Sequence, residues 1–202
     1  MARPSQPLIS VDALVTAALE LIDESGDFSL PRLARRIGVS QSSIYNHVSG
    51  REEILELVRG RITRSMALPP PAASWDEVLR YEIRAYRDSF ARHPRAAPLL
   101  VMQTVRDADV IAFYERLSSA LEEAGFGGAD VASALAVIDS FAIGAALDLA
   151  APGNVWEVDP GSGTALGRAV GDASRLADRA GAAFEFGLEI LLDGLRSRAA
   201  RI

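Results

Sequence analysis

An all-α fold is predicted for this chain by three observations. Apolar residues recur at the three-and-four spacing of a helix through most of its length. Gly and Pro signals fall between those stretches rather than inside them. No strand-period alternation of useful length interrupts them. Hydrophobic residues make up 49% of the 202 positions, too many for a disordered chain and enough for a sizeable core.

The elements follow in order. Ser10 caps a first helix whose stripe is Val11, Leu14, Val15, Ala18, Leu21 and Ile22, and Gly26 ends it. Ser29 caps a second, short helix, with Pro31 tolerated in its first turn and Leu33, Ala34 and Ile37 inward. Gly38 suits a C-terminal turn at positive φ, and Ser40 caps a third segment whose inward residues are Ile44 and Val48. Ser49-Gly50-Arg51-Glu52 has capping-box spacing and opens a longer helix through Ile54, Leu55, Val58 and Ile62. Pro69 to Pro71 stop it, and Ser74-Trp75-Asp76-Glu77 supplies a second capping box. Helices are then expected at about 75–92, 95–103, 107–124, 129–150 and 173–197, with 151–171 as a Gly- and Pro-rich loop.

Composition narrows the classes. With no Cys, disulfides and thiolate metal sites are excluded. No apolar run approaches a membrane span and "MARPSQPLIS" lacks a secretory core, so a cytoplasmic protein with no membrane partner is expected. The net charge of −6 is uneven: residues 28–67 carry +4, while the segments on either side are acidic, and every basic side chain is Arg.

The second and third helices are joined by "GVS", the layout of a helix-turn-helix, in which the second helix of the pair enters the major groove of double-stranded DNA. Such a helix needs an apolar heel, here Ile44 and Val48, and a polar face, here Gln41, Ser42, Ser43 and Asn46. Tyr45 and His47 suit phosphate oxygens, and Arg51 adds charge at the start of the next helix.

Three stretches, "LVTAALELIDESG", "SLPRLARRIGVSQSSIYNHV" and "GREEILELV", resemble the N-terminal domain of the TetR family of transcriptional repressors in order and spacing. The resemblance implies base-facing roles for Gln41, Ser42 and Ser43, phosphate contacts for Tyr45, His47 and Arg51, and a place near the groove for Asn46. Where tetracycline repressors carry a guanine-reading Arg, this chain has Pro31 followed by Arg32, so Arg32 is expected among the DNA-binding residues and a different operator is expected. The implied division is a DNA-binding domain at 1–50, a linking helix at 51–67, and a ligand-binding and dimerisation domain at 68–202.

In the second part, "LRYEIRAYRDSFARHP", "FAIGAALDLA" and "FEFGLEILLDGL" resemble the tetracycline-repressor branch. A His near His93 serves a magnesium–tetracycline complex in that branch, but its companion has no match in "RSMALPP". A mostly apolar effector with no metal, cofactor or catalytic residue is therefore expected, lined by Tyr86, Phe90, His93, Leu100, Met102, Gln103, Phe113 and Phe141. The stripes Ala134, Ile138, Phe141, Ala145, Leu149 and Phe184, Leu188, Leu191, Leu195 are read as the homodimer face. The chain is expected to be a repressor released from a palindromic operator by a small molecule. A helical enzyme using His93 and a ligand-independent repressor are the alternatives.

Overall fold

The computed structural model describes residues 10–70, 74–153 and 155–202, which hold helices and no strand. In chain order they are α1 (Val11–Ser25), α2 (Leu30–Ile37), α3 (Gln41–Ile44), α4 (Arg51–Arg64), α5 (Trp75–Ala91), α6 (Ala97–Leu100), α7 (Ala108–Glu123), α8 (Gly128–Leu149), α9 (Ala165–Ala173) and α10 (Arg179–Ala199). They form two compact units. The first takes in the chain up to Ala67 together with Arg92–Tyr114, and the second takes in Leu68–Ala91 together with Glu115–Ile202.

In the first unit, α1 packs on α2 and α4, α2 on α3, and α4 on α6. Leu14, Ile22, Leu33, Ile44, Ile54 and Leu55 make its solvent-free core. The caps are where the sequence puts them: Ser10 accepts from Ala13 N–H, Ser29 from Arg32 N–H and Ser40 from Ser43 N–H. Gly26 and Gly38 close α1 and α2 at φ of 81° and 73°, which glycine adopts without strain. The Val39 amide returns to Ala34 O and the Gly38 amide to Arg35 O, a Schellman closure that fixes the turn before α3.

One cap differs from its expected form. Ser49 is not the N-cap of α4; Gly50 is. The acid that reaches back is Glu53, accepting from the Ser49 amide at 2.6 Å and its hydroxyl at 2.7 Å, because Gly50 adds one residue to the turn. At α5 the expected box forms: Glu77 accepts from the Ser74 amide and hydroxyl, both at 2.8 Å. Of the Pro run, Pro71 lies outside the described residues.

The second unit is built from α5 packed on α8 and α10, and α10 on α8. Across the two units the helices depart from the expected ones in three places. The expected helix at 95–103 shrinks to α6, flanked by turns. The expected loop at 151–171 gives way at its end to the helix α9, capped by Thr164, whose side chain accepts from Gly167 N–H; two glycines in nine residues conceal it in sequence. The last helix begins at Arg179, where Asp178 accepts from Gly181 N–H and sets the start. Finally, α8 is 22 residues long with a mean hydropathy of 1.6 over an 18-residue window, long and apolar enough by composition to cross a membrane. The sequence shows no uninterrupted apolar run of that length because Asp130, Asp139 and Asp148 fall within the helix expected at 129–150. Its buried side packs on α5 and α10.

Candidate nucleic-acid interface

The segment 40–48 carries its heel and its face as the sequence predicts. Ile44 and Val48 are buried, while Gln41, Ser42, Tyr45, Asn46 and His47 are exposed, Tyr45 at 52%. The helical part is a single turn, so these groups project from α3 and the turn that follows it. The serines are less free than the spacing suggests. Ser40 Oγ lies 2.9 Å from Ser42 Oγ and 2.7 Å from Ser43 Oγ, and Ser43 is only half exposed.

The positive charge of residues 28–67 is largely answered within the unit. Arg36 pairs with Glu24 at 2.5 Å and Glu20 at 3.4 Å, Arg61 with Asp12, and Arg51 with Asp27 at 2.7 Å. The Arg36 hydrogen bond holds the Glu24 carboxyl below its ordinary range, and Arg51 does the same for Asp27. Arg51 also sits over the Phe28 ring, 5.4 Å from its centroid. Arg32 is spent on Ser25 Oγ at 2.6 Å and, more distantly, on Glu24. Arg35, which the sequence reading did not single out, is exposed and forms no ion pair among the described residues. Its signal was position alone: one turn before the Schellman glycine, on the outer side of α2.

One face of α4 is fastened to the chain around 100–109. Arg59, buried, donates to Leu100 O and to Gln103 O at 3.1 Å, and its Nε lies 3.3 Å from Glu56 Oε2. Glu56 Oε1 accepts from the amides of Arg106 at 2.5 Å and Asp107 at 2.7 Å. Gly60 approaches so closely that a Cβ there would lie 2.1 Å from Asp107 Oδ2. Arg64 adds ion pairs with Asp109 at 2.6 Å and Asp107 at 3.6 Å.

The eight expected effector residues divide between the units. His93, Leu100, Met102, Gln103 and Phe113 belong to the first, and Tyr86, Phe90 and Phe141 to the second. Leu100 and Phe113 are buried, whereas Met102 is 82% exposed. His93 Nδ1 lies 2.8 Å from Asp23 Oδ2, and Arg95 caps the carbonyls of Asp23 and Glu24, so this corner fastens to the end of α1. In the second unit Tyr86 meets Phe90 edge to face at 5.1 Å, and its hydroxyl donates to Asp139 at 2.8 Å. Nearby, fully buried Glu82 pairs with Arg116. That polar cluster escaped the sequence reading, although Glu82 and Tyr86 share a face with Ile83, Phe90 and Leu79.

The stripes read as the dimer face point mostly inward. Ile138, Phe184, Leu188 and Leu195 are buried within the unit because α5, α8 and α10 need them to close on one another. What α8 and α10 leave exposed lies largely outside those stripes: Val137, Phe186 at 71% and Ile190 at 57%, beside Leu149 from the expected stripe. Val137, Ile190, Leu191 and Phe126 line an apolar groove of about 540 Å³ there. A second groove of about 500 Å³ lies against α9, with Trp156, Val158, Val170 and Leu176.

Known proteins are similar to this chain in sequence and fold. Residues 68–161 match the family model described as "Tetracyclin repressor-like, C-terminal domain". The tetracycline repressor protein class A from transposon 1721 of Escherichia coli is 31% identical over 208 residues, covering 93% of this chain and 90% of that protein. An HTH-type transcriptional regulator of Saccharopolyspora erythraea is 31% identical over 164 residues, covering 79% of this chain and 67% of that one. Apo ActR from Streptomyces coelicolor has the same fold, with a TM-score of 0.81 at 23% identity over 98% of this chain and 99% of that one. Similarity of this extent, over a helix-turn-helix of this form, makes the chain a member of the TetR family of transcriptional regulators.

Proposed function

We propose that this protein is a dimeric, cytoplasmic transcriptional repressor that binds a palindromic DNA operator and is released from it by a small, mostly apolar molecule. It does so as a binding protein and not as an enzyme. The observation that carries the reading is the capped segment 40–48, whose apolar side is buried and whose Gln41, Tyr45, Asn46 and His47 face solvent. The kinship with a tetracycline repressor over nearly the whole chain supports it.

In this reading residues 1–50 bind DNA, α4 links, and residues 68–202 hold effector and partner. Gln41 meets a base edge, with Ser42 and Ser43 beside it and Asn46 at the groove. Tyr45, His47, Arg51 and Arg35 meet phosphates. Arg32 is held by Ser25 and orients α2 rather than reading a base. The homodimer uses the exposed apolar face of α8 and α10, with Phe186 and Ile190. Effector binding tilts α4, and the fastening of Glu56, Arg59 and Gly60 to residues 100–107 is what makes α4 follow that segment. A coupling of roughly 1–3 kcal/mol is typical of such switches.

Operator selection from random DNA, followed by binding titrations at several salt concentrations, tests the head. Gln41→Ala should relax preference at one base position at a cost of about 1–3 kcal/mol. Arg35→Ala should weaken all sequences alike and reduce the salt slope by about one unit. Arg32→Ala should leave that slope unchanged. A change in sequence preference on Arg35→Ala overturns its phosphate role, and failure to select any DNA overturns the regulator reading.

A further inference from the structure

On α5, Arg80, Arg84 and Arg87 stand at i, i+4 and i+7, one stripe facing α10. The first two are answered in antiparallel order. Arg80 grips Glu189, and Arg84 grips Glu185 side-on, Nε to Oε1 at 3.0 Å and Nη2 to Oε2 at 2.5 Å. The next position of this ladder on α10 falls at Gly181 and Ala182, which carry no acceptor side chain. Arg87 therefore has no third glutamate. Its guanidinium lies over the Phe184 ring, 4.5 Å from the centroid, and that ring stacks on Phe141 at 5.4 Å and 12°.

The orphaned atoms are specific. Arg87 Nη1 donates to Asp88 at 3.0 Å, while Nε and Nη2 are shut off from solvent and have no acceptor among the described residues. Nε and Nη2 form the edge that Arg84 uses on Glu185, a fork matched to the two oxygens of a carboxylate. The side chain as a whole is only 13% exposed. A permanently charged group whose donors are buried and unmet is costly to keep, so an acceptor that reaches it gains more than it would at the surface.

We propose that the Nε–Nη2 edge of Arg87 receives the carboxylate of a small organic acid whose apolar body lies against Phe184 and Phe141. This rests on the ligand-responsive reading above and names the effector class: an apolar acid rather than a neutral molecule. A small molecule suits the site better than an acidic side chain of a second copy, because Nε and Nη2 are shut off from solvent inside the unit. The atoms that cover the edge must move to admit a carboxylate. The acid thus prefers the opened arrangement, which is the difference in affinity that a switch requires.

The test uses the full-length protein, with sodium benzoate as the probe and benzamide as its neutral isostere, at equal ionic strength. Benzoate should raise the melting temperature of the wild type and benzamide should not. Arg87→Met should weaken the apparent benzoate affinity about ten- to hundredfold, the worth of a charge-assisted pair. Arg87→Lys, which keeps the charge without the fork, should fall between and carries the comparison if the Met variant does not fold. Arg84→Met removes an edge already filled by Glu185 and should leave the benzoate response intact. Equal responses to benzoate and benzamide, no response of the wild type to benzoate, or unchanged benzoate affinity in both Arg87 variants overturns the proposal. Sedimentation adds the other source: dissociation of the dimer on Arg87→Met, with the benzoate response retained, assigns the carboxylate to a second copy and also overturns it. Operator titrations separate the two readings. Operator binding without a benzoate response refutes the acid site alone, whereas benzoate binding without any operator refutes the regulator reading alone.

Discussion

The segment 40–48 and the outer side of α8 and α10 are both exposed surfaces carried on helices, yet they expose opposite chemistry. In the first, the aliphatic side chains Ile44 and Val48 are inside and hydroxyl, amide, phenol and imidazole groups are outside. In the second, α10 is apolar on two sides: Phe184 and Leu188 close the core of their unit, and Phe186 and Ile190 remain outside. A wet, polar surface on a short segment suits a charged, hydrated partner such as DNA. A dry, apolar surface on long helices suits a second protein surface that covers it permanently. A mere pattern of apolar residues does not separate these roles; what separates them is how much apolar surface remains once the unit has closed.

The largest expected effect tests which side of α10 does which work. Leu188→Asp places a carboxylate where no solvent reaches and should cost about 3–5 kcal/mol of folding stability, seen as loss of cooperative melting. Phe186→Asp, at an exposed position two residues earlier, should keep the melting transition and convert the dimer to monomer in sedimentation. A Phe186→Asp protein that stays dimeric would break the comparison.

A smaller effect is expected in the head. Ser40→Ala removes the acceptor for the Ser43 amide and the hydroxyl contacts of Ser42 and Ser43, and should cost about 1 kcal/mol. The loss should appear as faster amide exchange in 41–48 and weaker operator binding, with the dimer untouched.

The smallest effect is a dependence on pH. Arg36 and Arg51 hold Glu24 and Asp27 below their ordinary range, and the Ser49 amide does so for Glu53. Groups lowered in the folded state contribute stability above the ordinary carboxylate range of about 4 and lose it as pH falls through the lowered values. The melting temperature should thus be flat near neutrality and fall in that acid window. Because these pairs are exposed, salt should blunt the fall. Arg36→Ala should reduce it; an undiminished acid loss would move its origin elsewhere, for example to the Arg84–Glu185 and Arg80–Glu189 ladder, whose carboxylates are lowered in the same way.

Local features of this protein were legible in its residues. Ser10, Ser29 and Ser40 cap, and Gly26 and Gly38 turn, as their types and spacing dictate, because each acts within four or five residues along the chain. The polar face of the reading segment was legible for the same reason. The tertiary structure decided what depends on partners distant in sequence. It ties Arg32 to Ser25 and pairs Arg36 and Arg61 with acids of α1, so that the exposed Arg35 stands out. It buries the stripe through Leu188 and exposes the one through Phe186, a choice between two apolar sides of one helix that periodicity cannot make. It also sets Arg87 opposite Gly181 and Ala182, and whether a charge is answered depends on which residues the packing of α5 against α10 places within reach.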